Sequence, residues 1–373
     1  MYIHLDDSLD KLDLENCENL KNLGYLLDGF SEGYFIISGS RSLLKKFSEC
    51  SDFSKPAREA ASFALNNYAT NQSFYNSIPY KIIITANTYN ISNIDKRWII
   101  NINEIKPGFL SKGILILAEN LNDSYFLNYA AEHFRIKNRK NFPSLKISNH
   151  FQGGGGDTIT EELRNQLNKK QEFIFCFKDS DKFSPNCEIS DNAKKCKVLV
   201  ESDSWLAFFS NTNCREAENL IPEKLLENTP YIPFERLKIL RNLDAESTIN
   251  FYSYIDIKLG FTKKFYTHLG GSTPKGKYWN QVYNFLKDKK IIKDCEFDEH
   301  ANCKIHRQLK EKNCIFLEGS SEKTLDHVIN FLNTESSHKT FEIIRNDPTN
   351  IEWFGIGETV FWLSCALPKI RFS

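Results

Sequence analysis

No apolar run in the sequence reaches the ~20 residues that a membrane-spanning helix needs, so a spanning protein is not expected. The opening residues, MYIHLDDSLDKLD, lack both the basic start and the apolar stretch of a secretory signal. Neither sign of charge is in excess. Lys plus Arg and Asp plus Glu number 48 each, which removes any blanket electrostatic case for nucleic-acid binding and leaves only a local basic face. None of the ten cysteines forms a CxxC pair, and several sit in apolar runs such as FIFCF and FWLSCAL. A chain without a leader and with scattered thiols is expected to be cytoplasmic, its cysteines reduced and used as small core residues. Internal repeats, long low-complexity linkers and a Ser/His/Asp or Cys/His nucleophile set are absent as well, and isolated histidines such as His133 and His268 read as packing or surface residues. What remains is a soluble globular chain of 373 residues, enough for two or three domains.

Three regions follow one another. Residues 1–110 read as mixed α/β: Ser54-Lys55-Pro56 opens a helix with a cap and an early proline, and strands follow at Tyr80–Thr85 and near Trp98–Ile102. In residues 111–225, Gly113–Ala118 (GILILA) and Phe173–Phe177 (FIFCF) are continuous apolar runs, as expected of strands buried on both faces. Helical spacing at Asp123–Phe134, a candidate strand at Ser144–Ser148, the glycine run Gly153–Gly156, a helix over 157–169 and a third strand at Lys197–Glu201 (KVLVE) complete a βαβ pattern, which predicts a parallel sheet. Residues 226–373 read as mostly helical, and the apolar stretch IEWFGIGETVFWLSCAL near the end as a core-completing helix.

Acidic residues stand at the ends of both buried strands. Glu119 follows GILILA, Asp123 comes four residues later at the turn into a helix, and Asp179 and Asp181 follow FIFCFK. In parallel α/β sheets ligands bind beyond the carboxyl ends of the strands. Carboxylates gathered there repel one another unless a cation neutralises them, and a hard divalent ion such as Mg²⁺ is suited to the task. Four carboxylates leave room for two ions, a pair that supports in-line phosphoryl displacement. Any one of these residues alone is an ordinary turn or cap residue; the combination favours a metal site.

The ordered set resembles a TOPRIM domain, and within that fold the OLD-type (overcoming lysogenization defect) nucleases. Glu119-Asn120-Leu121-Asn122-Asp123 has the spacing of the E-G-x-S/T-D motif, with asparagine in place of glycine, a residue that tolerates unusual backbone angles. Lys178-Asp179-Ser180-Asp181 resembles the D-x-D motif, and Arg215-Glu216-Ala217-Glu218-Asn219 the R-x-x-E-N element. The resemblance covers about residues 110–225. It implies a Rossmannoid parallel sheet at the centre of the chain, Glu119 as general acid/base or metal ligand, and Asp123, Asp179 and Asp181 as ligands of Mg²⁺ or Mn²⁺. It also implies Glu218 in a second metal position and a downstream lysine, for which Lys258 is the candidate, against developing phosphate charge. Gly154 and Gly155 before a helix, with Lys178 and Lys182, are the candidate phosphate and nucleic-acid contacts. OLD-like effectors of bacterial anti-phage defence often work with an ATPase. This sequence has no ATPase motif, so a separate ATPase or sensor partner is implied.

Gly271–Lys277 fits G-x4-G-K, but Tyr278 stands where a Ser or Thr would hold Mg²⁺, so a P-loop is rejected. Cys295, His300, Cys303, His306 and Cys314 raise structural zinc, although C-x4-H-x2-C-x2-H is not a common finger spacing. A metal-dependent glycosyltransferase also uses a D-x-D at a strand end, but it would leave Glu119 and Asp123 without a role. In a HAD-type phosphatase Phe183 would replace the Thr or Val after D-x-D-x. A non-catalytic TOPRIM-like scaffold is the third alternative. Substrate is DNA or RNA.

Overall fold

The computed structural model describes residues 1–87, 92–203, 205–262, 273–291 and 315–371. Two compact units form, neither of them one continuous stretch of chain: Met1–Phe177 with Lys195–Ser210 and Phe354–Ser373, and Lys178–Lys194 with Asn211–Trp353.

The first unit holds two sheets. Its N-terminal part runs β1 (Tyr2–Leu5), α1 (Cys17–Ser31), β2 (Ile36–Gly39), α2 (Arg41–Glu49), α3 (Lys55–Asn66), α4 (Tyr68–Ser77), β3 (Lys81–Thr85), β4 (Ser92–Ile94) and β5 (Arg97–Asn101). The sheet order is β2-β1-β3-β5-β4. β2, β1, β3 and β5 are parallel, and β4 is antiparallel to β5. Side chains cap the helices that follow polar turns: Asn16, Ser40 and Ser54 each accept a first-turn N–H, satisfying donors the helix itself leaves open. The helix expected after Ser54 is α3, with Pro56 in its first turn.

The second sheet follows: β6 (Ile114–Ala118), α5 (Leu121–Lys137), β7 (Lys146–Ile147), β8 (Asn149–Gly153), α6 (Ile159–Lys169), β9 (Ile174–Lys178), α7 (Asp191–Ser202) and β10 (Ala207–Asn211). Its order is β10-β9-β6-β8, with β6 parallel to both β8 and β9. β10 runs the same way, since Ile174 N–H donates to Leu206 O at 3.0 Å and Thr212 N–H to Lys178 O at 3.3 Å. Every residue of β6 and β9 is buried. That explains their unbroken apolar runs, because α/β crossovers cover both faces.

Two expected strands are elsewhere. Lys197–Glu201 is helical, inside α7: Lys197 and Glu201 pair at 3.8 Å across one turn, Ala193 and Cys196 are buried, and Val198 is 60% exposed. Three apolar residues in a row are too few to separate strand from helix. The sheet is completed by β10 instead. At 144–148, only Lys146–Ile147 is extended, and it pairs antiparallel with Cys365–Ala366. The partner of β6 is the next segment, β8.

His133 on α5 is fully buried, and burial pushes its imidazole down to about 3. The unfolded chain therefore takes up a proton below about pH 6.5 that the folded chain refuses. Stability from this residue is full above pH 6.5 and declines as pH falls towards 3, with about 2 kcal/mol lost by pH 5. Urea midpoints between pH 7.5 and 5 should carry that slope in the wild type and lose it in His133→Gln.

The second unit is largely helical. It contains the short helices Glu223–Asn228 and Ser337–Ile344, the longer Phe234–Ser247, Pro274–Asp288 and Thr324–Thr334, and an antiparallel pair of strands, Gly260–Thr262 with Ile315–Glu318. The architecture is thus mixed α/β with parallel sheets and a largely helical C-terminal region. The expected apolar helix spans Ile351–Ser364, with Trp353, Val360, Phe361 and Leu363 buried. No helix among the described residues is long and apolar enough to cross a membrane.

Candidate functional site

β6 and β9 are neighbouring parallel strands, so their carboxyl ends share one edge of the sheet. Glu119 follows the first and is half-buried. Asn120 then caps α5. Its side chain accepts the Asp123 N–H at 3.1 Å, and Asp123 Oδ2 accepts the Asn120 N–H at 3.1 Å. This reciprocal capping box satisfies two donors at once. It also revises why asparagine stands at 120. Backbone angles of −135° and 169° are ordinary extended ones, so tolerance of unusual geometry is not used; the side-chain cap is. Asn120→Ala should cost about 1 kcal/mol, read as a lower urea midpoint with unchanged slope. Asp123 is buried in the first turn of α5, at 5% exposure, with one oxygen committed to that cap.

The glycine run closes the same edge. Gly154 N–H donates to Ala118 O at 2.7 Å and Gly156 N–H to Glu119 O at 3.2 Å. Two of the amides available for an anion therefore tie the turn to β6. Gly155 and Gly156 have φ of +70° and +68°, and a Cβ on Gly154 would lie 2.5 Å from Ile159 Cγ1. Only glycine suits such a path.

Beyond β9 the D-x-D segment is stitched to residues 212–217. Ser180 between the two aspartates is fully buried; its N–H donates to Thr212 Oγ1 at 2.9 Å and its hydroxyl to Cys214 O. Asp181 N–H donates to Arg215 O at 3.0 Å, and Asp179 Oδ1 accepts the Ala217 N–H at 2.8 Å. Asp181 has φ of +52°, a left-handed conformation that aspartate adopts more readily than most residues. Hydrogen bonds on both sides hold that backbone in place. Lys178 is buried at the end of β9, and Lys182 is half-buried. The Phe183 ring lies under two cations, with Arg215 Cζ at 4.4 Å and Lys275 Nζ at 3.9 Å, and its carbonyl accepts Trp279 Nε1–H at 2.6 Å.

The R-x-x-E-N element builds a buried charge network. Arg215 Nε lies 3.1 Å from Glu216 Oε1. Lys258 Nζ lies 3.0 Å from Glu216 Oε2 and 3.1 Å from Glu218 Oε1. Asn219 accepts the Glu216 N–H and donates to Tyr252 O and Ile255 O, joining the element to the segment that carries Lys258. Asp256 Oδ1 accepts the N–H groups of Lys258 and Leu259, both at 3.1 Å. Burial pushes the Glu218 carboxyl up, Lys258 opposing this and Glu216 adding to it. Asp256 is raised by burial and by Glu216. At Lys258 burial favours the neutral amine, but the charges of Glu218 and Glu216 outweigh it and hold the ammonium.

Glu216 is the residue that the motif comparison passed over, although it lies inside the R-x-x-E-N element; only the fold reveals that it shares Lys258 with Glu218. Lys258 is half-buried and pairs with two buried carboxylates. For a metal, the donors at Asp179, Asp181 and Glu218 are all carboxylate oxygens, the hard set that suits Mg²⁺ or Mn²⁺. The burial penalty on Glu218 is of the kind a cation relieves. Among the described residues no three His, Cys, Asp or Glu side chains form a ready-made cage. Cys295, His300, Cys303, His306 and Cys314, with His268 and Gly271 of the G-x4-G-K stretch, lie outside the described residues, and Pro274–Lys277 of that stretch open the helix Pro274–Asp288. No protein-family model matches the chain, and no curated protein or solved structure matches it.

Proposed function

We propose that the chain is a metal-dependent nuclease of TOPRIM type, hydrolysing phosphodiester bonds of DNA or RNA. The observation that carries the reading is the D-x-D segment after β9, with Asp181 in a left-handed backbone and Asp179 bonded to Ala217 in the middle of the R-x-x-E-N element. It follows a strand parallel and adjacent to the one that precedes Glu119. Asp179 and Asp181 would hold Mg²⁺ or Mn²⁺, and the resemblance gives Glu119 the part of general acid/base or further ligand; when bound, the ion would polarise a phosphoryl oxygen and acidify a water molecule. The chain's own residues orient and neutralise: Ser180 fixes the loop between the aspartates, and Lys258 keeps a positive charge beside the element. A role in anti-phage defence and activation by a separate ATPase or sensor partner belong to the same proposal, on the resemblance alone.

The test is incubation of the chain with supercoiled plasmid, linear DNA and total tRNA, with Mg²⁺, Mn²⁺ or EDTA. Cleavage that EDTA stops is expected. Cleavage indifferent to EDTA removes the metal from the reading. One observation favours the scaffold as a second reading: Glu216 and Glu218 already have Lys258 as counter-ion. A scaffold binds nucleic acid or a partner equally well in EDTA and cuts under no condition.

A further inference from the structure

The pair Glu216 and Glu218 has a cation built in. Both carboxylates are buried, at 7% and 5% exposure, and they flank Ala217, whose N–H holds Asp179. Glu216 uses one oxygen for Arg215 Nε and the other for Lys258 Nζ, and Glu218 meets the same ammonium. The two carboxylates face one guanidinium and one ammonium, with the buried Asp256 carboxylate beside them. Lys258 is held at its backbone as well, by the Asp256 carboxylate, and does not reach the pair as a loose surface side chain. A divalent ion entering here would meet the Lys258 ammonium at the same oxygens, in a medium that screens like charges poorly. The ammonium would have to leave first.

We infer that Lys258 is the resident cation of the Glu216–Glu218 pair and closes the second metal position, so that the chain binds one divalent ion where the carboxylate count suggests two. This rests on the metal-site reading above and gives Lys258 a role distinct from facing phosphate: a positioning residue that sets ion number.

The test counts Mn²⁺ bound per full-length chain, from the electron paramagnetic resonance signal of free Mn²⁺, in the wild type, Lys258→Met, Lys258→Arg and the double variant Lys258→Met/Glu218→Gln. The inference predicts one more ion in Lys258→Met than in the wild type, no gain in Lys258→Arg, and return to the wild-type number in the double variant. An equal number in the wild type and Lys258→Met overturns it, as does a wild type that binds two. The wild-type number separately reports the Asp179–Asp181 site. One ion in every variant leaves that reading standing and removes this inference; none in the wild type with one gained in Lys258→Met does the reverse; none in either removes both. Should Lys258→Met be unfolded in EDTA, refolding on Mn²⁺ but not on K⁺ is the expected result in another form, and no recovery overturns the inference.

Discussion

Asp179→Asn/Asp181→Asn should cut the rate of EDTA-sensitive cleavage by about 10³-fold or more, the scale of losing electrostatic stabilisation of a developing charge, while the melting temperature stays close to that of the wild type. Asparagine is the right replacement for structural reasons. At 179 its side-chain oxygen still accepts the Ala217 N–H now held by Asp179 Oδ1. At 181 it tolerates the left-handed backbone, where a β-branched residue would be strained. The substitution removes two negative charges and keeps these two features, so loss of cleavage with an intact fold isolates the charges. Cleavage within about threefold of the wild type would move the active centre away from the D-x-D segment. A large drop in melting temperature would make the aspartates structural.

The second large effect is on stability. Gly113→Ala should destabilise the chain by about 3 kcal/mol or more. Gly113 precedes β6 with φ of +78°, and a Cβ there would lie 2.2 Å from Ser148 O and 2.5 Å from its carbonyl carbon. Those are backbone atoms, so no rotamer change relieves the clash. The carbonyl in question also accepts the Ile114 N–H that begins β6, and displacing it disturbs the pairing of β6 with β8. Urea denaturation measures the loss; a change under 1 kcal/mol would mean that the turn relaxes freely. Because Glu119 lies at the far end of the same strand, cleavage should fall along with stability, unlike the Asn double variant.

These two positions illustrate what was legible in the sequence. GILILA and FIFCF announced their strands because burial on both faces leaves no room for polar residues, and the edge after them was therefore locatable. The capping signal at Ser54 worked for the same local reason. β8 did not announce itself: NHFQG is half-buried throughout, since an edge strand needs no apolar run. KVLVE misled because its three apolar residues fit a strand as well as a helix, and the Lys197–Glu201 pair that settles the matter depends on the helix already formed. At the site, the aspartates and Lys258 were visible as residue types. The tie between Asp179 and Ala217, the left-handed turn at Asp181 and the sharing of Lys258 by two glutamates arise from residues far apart in the chain. No spacing rule encodes them.

The two-residue strand Lys146–Ile147 pairs with Cys365–Ala366, and the first compact unit draws its last piece from Phe354–Ser373. During synthesis the N-terminal sheet can assemble early, as domains generally do, but the unit waits for some two hundred further residues before its final strand partner emerges. Until then the backbone groups of Lys146 and Ile147 are an open edge. A ribosome stalled between residues 250 and 350 would therefore hold a nearly complete sheet system with an unprotected strand, a species in need of a chaperone.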